Sequence, residues 1–179
     1  ASRDSEADTT PTPSANTDDI TGTDDEDGVS IGLMQAGMNA TATVEVSNAG
    51  GGAKLDAWVD FNRDGDWNDA GEKIANSVSV VNGTNSVVFA VPVGASLGLN
   101  YARFRLSTEG GLNPDGEAND GEVEDIVTHI IYVDDNFEGL TVGNFILDAD
   151  PVAAGNQNAI FGITAFDTVN AGIAAGSVG

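Results

Sequence analysis

Residues 54–72 read KLDAWVDFNRDGDWNDAGE. The first half alternates, with Leu55, Ala57, Val59 and Phe61 on one side, and so predicts a strand with one buried face. The second half crowds Asp60, Asn62, Asp64, Asp66 and Asp69 around Gly65. Uncompensated carboxylates this close repel one another, so either a cation gathers them or the stretch is a solvated acidic turn. A strand running directly into such a loop points to a β-scaffold rather than to helices.

The pattern continues outward in both directions. ATATVEVSNAGG at 40–51 alternates and ends in a glycine-rich turn. SVSVVNGTNSVVFAVP at 77–92 predicts two strands joined around Asn82-Gly83, a hairpin-type signal. YARFRLST at 101–108 places Ala102, Phe104 and Leu106 inward and Arg103 and Arg105 on the other face, and EDIVTHIIYV at 124–133 is the last strong strand. Short strands at this spacing, without an amphipathic helix among them, predict an all-β fold: an antiparallel β-sandwich, Ig-like or jelly-roll-like, over residues 29–134. Residues 1–28 hold nine acids, one Arg, Pro11 and Pro13 with few apolar side chains, and are expected to be an acidic linker or a donor strand. Residues 135–179 are rich in Gly and Ala. Only AFDTVNAGIAA has helical spacing there, with Phe166, Val169 and Ile173 on one face.

Composition narrows the functions. The 179 residues carry 29 acids against 6 basic residues, a net charge of −23. Six scattered cations cannot assemble a phosphate-binding patch, which argues against nucleic acid and against anionic lipid as partners. The acidity suits a secreted protein in salty or calcium-rich water, where screening relieves self-repulsion. Without cysteine, disulfides and thiolate metal sites are excluded. No run reaches the length of a membrane span and no signal peptide is visible; an opening ASRDSEAD without Met fits a processed or excised chain.

Asp60, Asn62, Asp64, Gly65 and Asp66 match D-x-[DN]-x-[DN]-G, the first half of a helix–loop–helix calcium loop. All-oxygen donors without thiols or clustered imidazoles favour Ca2+. Position twelve falls on Gly71, so the last ligand is expected from Glu72 or from elsewhere in the chain. TEGGLNPDGEANDGEVED at 108–125 offers seven acids and no Lys or Arg. If the two acidic loops share one end of the sandwich, Asp120, Glu122 and Glu124 complete or double the site; otherwise they only solubilise a loop. His129, the single histidine, alternates within a strand and is expected to be structural. No nucleophilic triad and no phosphate loop is present, so no catalytic residue is assigned and no enzyme activity is expected. Trp58 and Trp67 flank the acidic loop, either to fill the core or to stack on a sugar.

LDAWVDFNRDGDWNDAGE, YARFRLST and DGEVED, in that order, resemble the GEVED domain of large secreted and surface-attached bacterial proteins, over about residues 28–133. Gly121, Glu122, Val123, Glu124 and Asp125 supply its motif. NAIFGITAFDTVNAGIAAGSVG at 158–179 resembles the entry to a right-handed parallel β-helix. The resemblance implies an extracellular, cell-surface β-sandwich with a binding or structural role and brings no catalytic residues. A calcium-stabilised structural or adhesive module, pairing with neighbouring domains or with copies of itself by strand addition, is the leading expectation. The alternative is an ancillary or carbohydrate-binding domain of a polysaccharide-degrading β-helix enzyme.

Overall fold

The computed structural model describes residues 28–149 and 158–176. The chain runs through β1 (Val29–Ile31), β2 (Met34–Gln35), β3 (Asn39–Val46), β4 (Ala53–Val59), β5 (Lys73–Val80), β6 (Gly83–Ala90), β7 (Gly98–Ser107) and β8 (Glu122–Val133). A 3-10 turn at Asp135–Phe137, β9 (Phe145–Ile146), β10 (Ala159–Ile160), β11 (Ala165–Phe166) and α1 (Val169–Gly176) follow. Strands make up 47% of the described residues and helix 6%, so the all-β expectation holds and the fold is sandwich-like. One sheet has the order β1-β3-β6; the larger one runs β5-β4-β7-β8, with β2 and β11 both parallel to the outer edge of β8.

The alternation seen in the sequence sets the core. Leu55, Ala57 and Val59 on β4 face Leu106, Phe104 and Ala102 on β7 in direct register. They pack against Ala40, Ala42, Val44 and Val46 of β3 and Val87 and Phe89 of β6. Each fully buried Val, Leu or Phe contributes roughly 1.5–3 kcal/mol, so these facing rows hold the sheets together. Phe137, Ala149, Ala159, Phe161 and Ala165 join the same core, which ties the segment after β8 to the sandwich.

Two expectations change. Asn82-Gly83 does form a turn, with Gly83 at φ +97°, but β5 pairs with β4 while β6 pairs with β3. The turn carries the chain from one sheet to the other instead of closing a hairpin. Phe166 lies in β11 rather than on the helix, and the helix turns Gly172 toward Ile131 and Val133 while Val169 and Ile173 stay exposed. A Cβ at position 172 would meet Ile131 Cδ1 at 2.5 Å, so the helix approaches this closely without displacing Ile131 because the residue is glycine. The proposed donor strand at 1–28 lies outside the described residues up to position 27.

Part of the outer face of the larger sheet is also buried. Across β4, β7 and β8, one row runs Asp56–Arg105–Val123 and the next Trp58–Arg103–Asp125. The β7–β8 connection folds back over these rows. Arg103 donates from Nη1 to the Pro114 carbonyl at 3.0 Å, and from Nε to Asp125 Oδ1 at 2.7 Å and from Nη2 to Asp125 Oδ2. Arg105 donates to the carbonyls of Asn113 (2.7 Å), Asp115 (3.1 Å) and Gly116 (2.6 Å). Asp56, fully buried, pairs with Lys73 Nζ at 2.9 Å and accepts the Ser77 and Leu112 backbone N–H groups. Burial and the neighbouring Arg103 charge lower the pKa of Arg105, a cost that the three carbonyl bonds offset.

Candidate metal centre

The acidic loop begins where β4 ends and hangs from the sheet by main-chain bonds. Asp60 N–H donates to the Tyr101 carbonyl (3.0 Å) and Val59 N–H to the Glu72 carbonyl (3.0 Å), closing the stem. Ser96 N–H bonds the Phe61 carbonyl at 2.7 Å, which fixes the loop against the strand connection before β7. Arg63, Gly65 and Gly71 all have positive φ, so the chain coils sharply between these anchors.

Inside the coil the acids form two tiers. Asp60 and Glu72, 3% and 2% exposed, lie beneath. Asp60 accepts the N–H groups of Arg63 (2.6 Å) and Gly65 (3.1 Å). Glu72 accepts those of Phe61 (3.1 Å) and Asp69 (3.2 Å), bracing both ends of the loop. Above them, one carboxylate oxygen each from the exposed Asp64, Asp66 and Asp69 lie within 4.8 Å of one another, a group that could hold a metal ion. The Asn62 amide bonds both Asp64 (3.1 Å) and Asp69. Asp64 Oδ1 accepts the Asp66 N–H (3.2 Å), and Asp66 Oδ1 accepts the Asn68 N–H (2.8 Å). Neither ion pair among the described residues reaches this trio. Two unit charges at this separation repel by about 1 kcal/mol even in water, and a hard divalent cation removes that cost for all three pairs.

Six of the nine expected ligand residues are therefore gathered in one loop: Asp64, Asp66 and Asp69 converge, Asn62 bridges, and Asp60 and Glu72 support. The other three are elsewhere. Asp60 adjoins Tyr101, whereas Glu122 is paired with Leu106, five residues further along β7. That is about 17 Å of strand at 3.4 Å per residue, plus two strand spacings. Asp120 holds Thr108 through its N–H (2.9 Å) and its hydroxyl (2.7 Å), closing the base of the second loop. Glu122 and Glu124 share the inner face with Leu106 and Phe104, and the Glu124 carboxylate takes the space a side chain at Gly28 would need. Trp58 and Trp67 are 2% and 4% exposed, stacked under Lys73 and Arg103 at 5.0 and 4.8 Å, so neither indole offers a face to a sugar. They fill the buried outer layer together with Tyr101 and Leu112.

Residues 54–126 match the GEVED domain family model. The matched segment opens at Lys54 in β4 and ends at Ile126 in β8, so it holds both acidic loops and the two arginines between them. None of the curated proteins and none of the solved structures matches the chain. Among the described residues no helix is long and apolar enough to cross a membrane. The role of Arg103 and Arg105 in tying down the second loop escaped the sequence reading. Two arginines at alternate positions of one strand, in a chain with six cations, were the available signal.

Glu72 gives the stability of the acidic loop a pH dependence. Burial raises its pKa from 4.5 to about 7; the Asp69 N–H partly offsets this and the Asp60 charge adds to it. The folded chain then binds more protons than the unfolded chain between those values, so in chelator stability falls as pH rises from 4.5 to about 7. Glu72→Gln, which keeps an oxygen for the Phe61 N–H, is expected to flatten that fall. Urea midpoints measured across this range, for both proteins, check it.

Proposed function

We propose that this chain is a non-catalytic, calcium-stabilised module of a secreted or surface-attached protein, with a structural or adhesive role. The observation that carries the proposal is the convergence of Asp64, Asp66 and Asp69, which no ion pair among the described residues reaches. Oxygen donors alone, on a loop able to supply main-chain carbonyls, favour Ca2+ over softer metals. A calcium-filled loop stiffens the β4–β5 connection, whose stem holds the buried Asp60 and Glu72. The GEVED match and the acidity of the chain support an extracellular setting. A neighbouring domain, such as the β-helix that residues 158–179 resemble, belongs to the same reading: Val142, Phe145, Leu147 and Ile163 are exposed apolar side chains for it to cover.

Extracellular calcium modules bind at about 10⁻⁴ to 10⁻³ M. At ten times the dissociation constant one ion adds roughly 1.4 kcal/mol, equivalent to about 3–6 °C for a chain of this size. The melting temperature is therefore expected to fall by that amount in chelator. Calcium should restore it better than magnesium, and the combined change Asp64→Asn with Asp66→Asn should remove the response. A melting curve indifferent to both chelator and calcium sinks the proposal.

A further inference from the structure

We infer that the open edge of β6 is a self-association surface, where a second copy of the chain adds antiparallel to the first. The direction of the main-chain groups follows from the register. Val91 N–H donates to the Met38 carbonyl at 2.8 Å, and β3 and β6 continue without a register shift from Asn39↔Ala90 to Val46↔Gly83. Gly83, Asn85, Val87 and Phe89 therefore spend their N–H and C=O groups on β3. Thr84, Ser86, Val88 and Ala90 aim theirs away from it, and no strand among the described residues pairs with that side.

The other edges are blocked in ways that natural sheets use against association. β1 has three residues, and β2 and β11 have two each. α1 packs beside β11 and β8 through Gly172. β5 carries Lys73, a left-handed Ser77 and two register shifts against β4. β6 has none of these defences: eight residues, GTNSVVFA, without charge, proline or irregularity. In a chain with 29 acids, eight uncharged edge residues are the part on which two copies meet with least repulsion. Val88, 64% exposed, adds apolar surface at this edge strand. A two-fold axis through Val87 sets Thr84, Ser86, Val88 and Ala90 opposite Ala90, Val88, Ser86 and Thr84 of the second copy. Every outward group of this row is then paired, and the two three-stranded sheets become one of six strands. An interface so narrow is weak and concentration-dependent.

The inference rests on this edge and not on the cation loop, which hangs from the other sheet. Sedimentation of the full chain at high protein and salt concentration tests it, once with calcium and once with chelator. The mass is expected to approach twice 18.2 kDa in both. Ser86→Pro removes an N–H that only the second copy would use and leaves the β3 ladder whole, so it should keep the fold and lose the dimer. Val88→Lys, which adds a charge to the open edge, should do the same if the proline variant folds poorly. A wild-type chain that stays monomeric in both buffers overturns the inference. So does a dimer lost only in chelator, or one that folded Ser86→Pro or Val88→Lys leaves intact.

Discussion

Gly121→Ala is expected to lower the folding stability by about 4 kcal/mol or more, at the extreme of single substitutions. Gly121 has φ +113°, which side chains with a Cβ rarely adopt. A Cβ built there meets the Leu106 carbonyl oxygen at 1.6 Å, its carbon at 2.7 Å and Ser107 Cα at 3.1 Å. All three are main-chain atoms of β7, so no rotamer change relieves the clash. The start of β8 must lift off β7, and the pairing of Glu122 with Leu106 goes with it. Gly116→Ala is the control: φ is +87°, but a Cβ there has nothing within 4 Å, so only the conformational cost of about 1 kcal/mol remains. Thermal melts of the two variants should differ by on the order of 10 °C.

Arg103→Ala is expected to cost about 3–5 kcal/mol, because it strands a buried charge. The Asp125 side chain facing Arg103 is fully buried and takes two of its N–H groups. Loss of the guanidinium also frees the Pro114 carbonyl and uncovers the Trp67 ring. Adding Asp125→Ala should return part of the stability, because the buried carboxylate that has lost the guanidinium is gone. The double variant should then be less damaged than the sum of the single ones by 0.5–3 kcal/mol. Urea denaturation of the four proteins in this cycle measures that coupling. Strict additivity would mean that the two residues contribute independently.

The strands were legible because alternation at 55–61 and 102–106 reports the inner face directly. The first half of the acidic loop was legible because Asp60, Asn62, Asp64 and Asp66 coil locally around Gly65. What failed depended on partners. Asn82-Gly83 encodes a turn, but not whether the strands on its two sides pair with each other. Asp120, Glu122 and Glu124 could join Asp60 only if the two acidic loops shared one end of the sandwich, yet β4 and β7 are antiparallel neighbours. Adjacent antiparallel strands end at opposite rims, so the loops that follow them cannot share one. Trp58 and Trp67 do fill the core, as one of the two readings had it, but what covers them, the β7–β8 connection, lies at a distance in the chain. Two alternate glutamates in a motif look like ligands in one dimension, and the pleat sends them to the inner face instead.

The manner in which that connection is fastened bears on how the protein can vary. Arg105 grips the carbonyls at positions 113, 115 and 116, and every amino acid has a carbonyl. The side chains of Asn113, Asp115 and Glu117 are exposed, and of the three only Asp115 adds to the grip, through its charge beside Arg105. Sequence drift at the exposed positions of the flap is therefore cheap, while the two arginines beneath it and the glycine at its hinge are not free to change. One sandwich can thus wear many exteriors.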